Sequence, residues 1–265
     1  MTKNILVIIQ RSNGDVLFSL SLINALYEFY DSPKIDLLVN DDTYALAKIF
    51  PNINLIHQFS YQKKRDERYR QEKLLLSNIF RKYDLSINLT ASDRSVLYTL
   101  LASKNSISAI EKDTKKSWWK KLLLKHYYDF DLTKHILENN LQPLKLLNIN
   151  HSNVQLAPEP PFDVKMKVED LLANVGVSNF VIFHPSAQYK FKIYPENLRH
   201  DLLVKLSSLG ITILITGGST AIDIEIKHRL QSIPNVFDFI GNTSLEEYIA
   251  LSELSIGYIG MDTLN

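Results

Sequence analysis

The chain of 265 residues contains no cysteine. Disulfide bonds, thiolate catalysis and zinc sites built on cysteine are therefore excluded. An excess of one charge is also lacking, because 30 lysines and arginines stand against 29 aspartates and glutamates. A general nucleic-acid-binding protein usually has a strongly basic surface. The balanced charge therefore predicts that nucleic acid is not a partner.

Long apolar runs are absent as well. No stretch approaches the roughly 18 consecutive apolar residues of a membrane-spanning helix, and the first apolar run, Ile5–Ile9, is too short for the core of a signal peptide. The simplest expected location is therefore the cytoplasm. The hydrophobic content of 45% and the charged content of 22% are typical of folded globular domains.

Short apolar runs alternate with helical patterns along the first part of the chain. Strands are predicted over 5–9, 35–39, 53–57, 85–89 and 106–110, and helices over 16–30, 43–50, 65–82 and 95–103. This alternation predicts βαβ units and a parallel sheet, because parallel strands need crossover connections. The near-continuous Ile, Leu and Val of each strand indicate a sheet that is covered on both faces.

The segment 156–161 is predicted to be a linker, because three of its last four positions are proline. The alternation then restarts, with strands predicted over 180–183, 211–215, 236–240 and 255–259 and helices over 195–208, 222–233 and 245–251. We therefore predict an α/β protein with two Rossmann-like parallel-sheet domains, residues 1–155 and 156–265. An open parallel sheet usually continues with a helix, so the C-terminal domain is expected to be truncated.

Ligands of open α/β sheets bind outside the carboxyl ends of the strands, so the strand-to-helix loops are the places to search. The loop after the first strand, Gln10–Val16, contains Asn13, Gly14 and Asp15. Asp15 either caps the following helix or directs a carboxylate at a ligand, and the spacing favours neither. The loop lacks the GxGxxG fingerprint, so a hydride-transferring oxidoreductase fits the fold but not this loop.

Two loops of the second half have features of a phosphate site. The loop 184–195 contains Ser186, Ala187 and Lys192, and its backbone N–H groups, hydroxyl and lysine are suited to cradle a phosphate. The pair Gly217–Gly218 permits close approach of a ligand. Taken singly, a connecting loop with solvated lysines and a simple glycine turn are the commoner explanations.

The loop before the last predicted helix contains a capping signal. Ser244 and Glu247 have the spacing of a capping box, which is a structural motif in the first instance.

In their order and spacing, these elements resemble glycosyltransferase family 9, the heptosyltransferases of bacterial lipopolysaccharide synthesis. The likeness rests on Ile5-Leu6-Val7-Ile8, Gly14-Asp15-Val16, Leu22-Ile23-Asn24-Ala25-Leu26, His184-Pro185-Ser186-Ala187, Lys192-Ile193-Tyr194-Pro195, Gly217-Gly218, Gly241-Asn242-Thr243-Ser244-Leu245 and Gly260-Met261-Asp262-Thr263. Residues 60 to 175 match only in pattern. Tyr194 stands where the family usually has Trp, and Leu264 where it commonly has Gly.

The resemblance implies the GT-B architecture, in which two Rossmann-like domains face each other across a cleft. It implies that the N-terminal domain binds the acceptor and the C-terminal domain the nucleotide-sugar donor. Transfer would invert the anomeric centre and need neither a metal nor another cofactor. The expected donor is ADP-heptose and the expected acceptor an anionic lipid-A–Kdo core. A different nucleotide sugar, or a non-catalytic nucleotide-binding module, remains the alternative.

The resemblance also implies roles for individual residues. Asp15 would be the general base that takes a proton from the attacking hydroxyl. Lys192 would support the departing diphosphate, which needs positive charge. The residues implied to bind the donor are Ser186, Ala187, Lys192, Gly217, Gly218, Asp262, Thr263 and Glu225, with Asp223 as the alternative to Glu225 at the ribose. The residues expected to bind the acceptor are Asn13, Gly14, Lys63, Lys64, Arg65 and Arg68.

Two basic stretches have an alternative interpretation each. The stretch Tyr61–Lys73 is suited to an acidic acceptor but would also serve as a solvated helix face. The stretch Lys112–Lys125 has six lysines around Trp118-Trp119 and Leu122-Leu123-Leu124. Adjacent tryptophans flanked by lysines favour a segment that lies at a membrane interface, here the cytoplasmic face of the inner membrane. A solvated face is the alternative.

Overall fold

The computed structural model describes residues 2–112, 115–151, 154–187 and 189–261. The chain divides into two compact units, Met1–Pro158 and Glu159–Asn265. The division falls inside the proline-rich segment 156–161. Each unit is built on its own parallel sheet, as the alternating pattern predicts.

The first unit has a parallel sheet with the strand order of a Rossmann fold. Its strands are β1 (Asn4–Ile9), β2 (Lys34–Asn40), β3 (Ile53–Phe59), β4 (Leu85–Asn88), β5 (Ser106–Glu111) and β6 (His126–Phe130). The spatial order is β3-β2-β1-β4-β5-β6, so the chain direction across the sheet reverses between β1 and β4. Strand β6 was not predicted, because it is a half-exposed edge strand rich in polar residues.

Helices cover this sheet. They are α1 (Asn13–Leu17), α2 (Leu20–Phe29), α3 (Tyr44–Ala47), α4 (Arg65–Ile79), α5 (Asp93–Ala102), α6 (Trp118–Leu123), α7 (Ile136–Asn140) and α8 (Gln142–Leu146). Short 3-10 turns, 41–43 and 115–117, precede α3 and α6. The prediction of one continuous helix over 16–30 is wrong. The chain breaks between α1 and α2, where the Ser19 hydroxyl donates to the Val16 carbonyl at 2.6 Å and competes with the helical pattern.

The core of the first unit lies on both sides of the sheet. All residues of Ile5–Ile9 are fully buried, which requires cover on both faces and agrees with their unbroken apolar run. On one side, strand residues pack against α4 and α5; this cluster comprises Leu6, Ile8, Leu38, Phe59, Leu75, Ile79, Tyr98 and Ala102. The sheet is therefore a rigid base for the loops at its carboxyl edge.

The second unit repeats the same strand order on a smaller scale. Its strands are β7 (Val181–His184), β8 (Ile213–Ile215), β9 (Val236–Asp238) and β10 (Gly257–Gly260), and its helices are α9 (Phe162–Asn174), α10 (Glu196–Ser208), α11 (Ala221–His228) and α12 (Leu245–Leu254). The spatial order β10-β7-β8-β9 corresponds to β4-β1-β2-β3, so the reversal lies between β7 and β10. Helix α9 was not predicted, because its buried residues are only Val168 and Leu172.

The sequence predicted where helices α12 and α10 begin. The predicted capping box of α12 is confirmed, since Ser244 Oγ accepts from Glu247 N at 3.1 Å and Glu247 Oε2 accepts from Ser244 N at 2.8 Å. Pro195, expected as the first residue of its helix, is instead the N-cap of α10. Among the described residues, no helix is both long enough and apolar enough to cross a bilayer.

Candidate functional site

The strand order points to one loop in each unit. Where the chain order of an open parallel sheet reverses, the crevice outside the carboxyl ends of the strands is the usual place for a ligand. The loop with Asp15 directly follows β1, and the loop with Ser186 directly follows β7. Each of these two strands borders the reversal of its own sheet. Topology therefore supports both loops as ligand sites.

The side chain of Asp15 is held by Arg11 and Ser12, one turn earlier in the chain. It is the third residue of α1, and Ser12 is the N-cap, so the interpretation of Asp15 as the helix cap is wrong. Oδ2 of Asp15 accepts from the Ser12 hydroxyl at 2.8 Å and lies 3.1 Å from Nε of Arg11. The Asp15 side chain is 17% exposed. The carboxylate is thus oriented by one hydrogen bond and one ion pair, and it is still reachable from outside.

Arg11 is a residue of this site that the sequence did not reveal. Besides its contact with Asp15, its guanidinium lies over the ring of Phe130, 4.7 Å from the centroid, in a cation–π arrangement. Phe130 ends β6, the edge strand that lacks an apolar run. The pairing joins positions far apart in the chain, so local sequence contained no signal for it.

Several buried polar atoms around the Asp15 loop have no partner. Gln10, Tyr128 and Asn140 each have a buried side-chain N or O atom without a hydrogen bond within the described ranges. Asn140 is tied to the loop, since its Nδ2 donates to the backbone oxygen of Asp15 at 3.3 Å, and burial raises the pKa of Tyr128. An unpaired buried polar group costs about 1–3 kcal/mol.

The basic residues expected at the acceptor lie at the start of α4. Lys63, Lys64 and Arg65 are exposed. Arg68 has a different position, because its guanidinium donates to the carbonyl oxygens of Tyr61 at 2.9 Å and Lys63 at 3.1 Å. Arg68 therefore stabilises the preceding loop, while the other three cations face solvent. Asn13 and Gly14 are also exposed, at the start of α1.

The loop after β7 is fastened to the neighbouring strand through a histidine. Ser186 and Ala187 are buried. His184 Nε2 lies 3.2 Å from Ser186 Oγ, and His184 Nδ1 lies 3.1 Å from Oγ1 of Thr216, just beyond β8. Burial lowers the pKa of His184, so its ring is neutral near pH 7. A neutral ring linking two hydroxyl groups fixes the loop without adding charge.

Gly217 and Gly218 make room for the carboxylate of Asp223. A Cβ on Gly217 would lie 2.9 Å from Oδ1 of Asp223, and one on Gly218 would lie 3.3 Å from Oδ2. Oδ2 accepts from the hydroxyl of Thr220 at 2.6 Å. Burial opposes ionisation of Asp223, but hydrogen bonds from Ser186 and Thr220 outweigh it and lower its pKa. Oδ1 is buried without a hydrogen bond in the part of the chain that is described.

Glu225, two residues after Asp223 in α11, is in a different environment. Its side chain is 42% exposed and forms ion pairs with Lys190 and Arg229, both at 2.9 Å. The hydrogen bond from Lys190 is the main cause of its lowered pKa. Lys192 is half-buried in the same 3-10 turn as Lys190. The remaining residues expected at the donor, Asp262 and Thr263, lie outside the described residues.

A cavity lies away from the Asp15 loop. It has a volume of about 580 Å³ beside β2 and β3 and is lined in part by Asp36, His57 and Tyr83. The Tyr83 hydroxyl donates to Asp36 Oδ2 at 2.7 Å and lies 2.9 Å from His57 Nε2. Because these groups satisfy one another, the network stabilises the fold. Across the described ranges, no group of three or more His, Asp or Glu residues is suited to hold a metal ion.

Comparison with known proteins identifies the family. A sequence model of glycosyltransferase family 9 (heptosyltransferase) matches residues 75–263. Lipopolysaccharide heptosyltransferase 3 of Escherichia coli (strain K12) is 28% identical over 263 residues, which cover 96% of this chain and 75% of that protein. The likeness thus extends over nearly the whole chain.

Solved structures share the fold. The glycosyl transferase family 9 protein of Veillonella parvula DSM 2008 superposes with a TM-score of 0.77 at 17% identity, covering 97% of this chain and 74% of that one. The E. coli heptosyltransferase WaaC with ADP-2-deoxy-2-fluoro heptose also gives a TM-score of 0.77 at 17% identity, covering 98% and 83%. The predicted resemblance and the predicted fold class are confirmed. The chain belongs to glycosyltransferase family 9, the heptosyltransferases, and is a glycosyltransferase.

Proposed function

We propose that this chain transfers heptose from ADP-heptose to the inner core of lipopolysaccharide. The observation that supports this most is that Asp15, in the first turn of α1, and Ser186, two residues after β7, follow the strands at the two reversal points, in a chain of this family. One relative is named for lipopolysaccharide, and a structure with the same fold holds an ADP-heptose analogue. Both facts favour this donor and this class of acceptor.

The second unit is proposed to bind the donor. Backbone N–H groups after β7 and the Ser186 hydroxyl would bind the diphosphate, and Ala187, which has no hydroxyl, would contribute through its backbone. Lys192 would neutralise charge on the leaving ADP. The ribose hydroxyls would meet Glu225 or Asp223. The free Oδ1 of Asp223 beside Gly217 supports the second choice, since a buried carboxylate oxygen without a partner is ready to accept from a hydroxyl.

Asp15 is proposed as the general base of a single displacement. As the acceptor oxygen attacks C1 of the heptose, its proton passes to the Asp15 carboxylate, a new C1–O bond forms and the bond from C1 to the diphosphate breaks. ADP leaves with the electron pair, and the configuration at C1 is inverted. Arg11 and Ser12 would orient the carboxylate. Charge on the leaving group would be balanced by Lys192 and backbone N–H groups, so the proposed reaction needs no metal.

The acceptor is proposed to be the anionic lipid-A–Kdo core at the cytoplasmic face of the inner membrane. Lys63, Lys64 and Arg65 are exposed cations suited to phosphate or carboxylate groups. Asn13 and Gly14 would approach the acceptor at the start of α1.

Nucleotide selectivity tests the proposed donor. We expect ADP at 100 times its Kd to stabilise the protein by about 2.7 kcal/mol, which raises Tm by several degrees, and UDP and NAD to have smaller effects at the same concentration. Thermal unfolding with each ligand measures this. The variants Asp223→Asn and Glu225→Gln form a matched pair. The variant that loses the Tm shift with ADP identifies the residue that binds the ribose. A larger shift with UDP would favour another nucleotide sugar, and no shift with any nucleotide would contradict the proposal.

A further inference from the structure

Helix α6 exposes three of its four apolar residues and buries a lysine. Trp118, Leu122 and Leu123 are 67%, 73% and 57% exposed, whereas Lys120 in the middle of the helix is 1% exposed. A surface helix of a globular protein normally has the opposite arrangement, with its apolar stripe turned to the core. The orientation of this short helix therefore needs a separate explanation.

Lys120 fixes that orientation. Its Nζ lies 2.7 Å from Asp93 Oδ1, 2.6 Å from Glu111 Oε2 and 2.9 Å from the carbonyl oxygen of Ala91. A buried ammonium group is tolerated only when it is paired and hydrogen-bonded, so these three acceptors hold the lysine in place. Trp119 assists by packing against an apolar cluster that includes Val96. Because Trp119 and Lys120 are turned inward, the residues that flank them, Trp118 and Lys121, face solvent.

Cations surround the exposed apolar side chains. Lys115 and Lys121 are exposed, and the Lys121 ammonium lies 5.8 Å from the centroid of the partly exposed Tyr127 ring. The sequence from 115 to 125 contains no acidic residue, and the nearby Asp93 and Glu111 are paired with Lys120. We call the set Lys115, Trp118, Lys121, Leu122, Leu123 and Tyr127 the α6 patch. It combines adjacent apolar surface with exposed lysines, and Asp129, two residues after Tyr127 in β6, is an exposed acid at its edge.

We propose that the α6 patch docks onto the surface of an anionic lipid bilayer. Tryptophan, tyrosine and leucine side chains fit the boundary between headgroups and acyl chains, and the lysines complement negatively charged headgroups. The charge of the patch favours such a surface over a neutral one. The proposal deepens the proposed function and rests on it for the choice of a membrane as partner, because a lipid-anchored acceptor has to be met at a bilayer.

Vesicle sedimentation with the full chain tests this surface. The protein is expected to sediment with vesicles of phosphatidylcholine mixed with phosphatidylglycerol and to stay in solution with phosphatidylcholine alone. The double variant Trp118→Ser/Leu122→Ser should lower the bound fraction at limiting lipid at least about tenfold. Lys121→Glu should lower it about tenfold and weaken its salt dependence. Leu209→Ser removes a leucine that is 74% exposed in the second unit, and it should bind like the original protein.

The readouts separate this proposal from the proposed function. The Tm shift with ADP confirms that each variant is folded, and transfer to a delipidated, water-soluble acceptor should be unchanged by the α6 substitutions. Equal sedimentation with both vesicle types, or full binding by the double variant, would overturn membrane docking even if transfer persists. A second outcome would also overturn membrane docking. If the protein binds no vesicles but self-associates, and the double variant abolishes this self-association, the α6 patch is an interface with a second copy of the chain. Vesicle binding without transfer would leave docking supported and the proposed function wrong.

Discussion

Replacing Asp15 with asparagine is expected to lower kcat of heptose transfer by about 10²- to 10⁴-fold, the usual contribution of a general base. The amide retains the size of the side chain, and its oxygen is still able to accept from the Ser12 hydroxyl. It is unable to take the proton of the attacking hydroxyl. Because the loop proposed to bind the diphosphate follows β7 in the other unit, affinity for ADP should change little. Steady-state kinetics together with ADP titration measure the two effects separately.

Asp42→Asn is the matched control for this substitution. Asp42 is an exposed carboxylate in the 3-10 turn before α3, and its replacement should leave both kcat and ADP affinity as they are. If Asp15→Asn kept more than half of the original kcat while the control behaved as expected, Asp15 would not be the base.

Replacing Lys192 with alanine is expected to lower kcat/KM by about 10²- to 10³-fold, as removal of a group that stabilises transition-state charge typically does. The developing charge on the ADP oxygens would lose the cation proposed to balance it. Affinity for ADP should fall as well, because the product has the same diphosphate. Initial rates at low donor concentration and the Tm shift with ADP give the two quantities.

Lys190→Ala provides a comparison within the same 3-10 turn. Lys190 is exposed and paired with Glu225 at 2.9 Å, so its loss should reduce kcat/KM far less, by about the small amount associated with a surface ion pair. Equal losses in the two variants would show that general positive charge, and not Lys192 itself, supports the diphosphate. A larger loss for Lys190→Ala would assign the role to Lys190.

The parts of the fold that were predictable are those encoded by local pattern. The strand over 5–9 is a continuous apolar run and lies fully buried in the centre of its sheet. Strand β6 and helix α9 were missed because each buries few residues, and their sequences therefore lack a clear apolar period. When an element buries only one or two side chains, its apolar residues do not repeat regularly enough to predict a strand or a helix.

In the candidate site, too, positions that depend on the local sequence were predictable, and contacts between residues far apart in the chain were not. The position of Asp15 after β1 followed from topology, because carboxyl ends of parallel strands define the ligand edge. The contact between Arg11 and Phe130 was not predictable, since it joins the first loop to the end of β6. The burial of Lys120 also depends on acids from other elements, Asp93 and Glu111. Within a lysine-rich run, nothing local distinguishes it from its exposed neighbours.

The choice between Glu225 and Asp223 as the ribose-binding residue also depends on contacts between residues far apart in the chain. Both acids lie on α11 at a plausible distance in sequence from the glycine pair. Only the packing of Asp223 against Gly217 and the surface ion pairs of Glu225 distinguish them. The ribose role therefore remains a prediction, which the nucleotide titrations of the two variants decide.

The proposed reaction is a single displacement at C1 of the heptose by an acceptor hydroxyl that Asp15 deprotonates. The most direct measurement is the anomeric configuration of the transferred heptose, read from the NMR spectrum of the product made from ADP-heptose of known configuration. One displacement predicts a configuration opposite to that of the donor. Retention of the donor's configuration would exclude a single back-side displacement, and it would contradict the role proposed for Asp15.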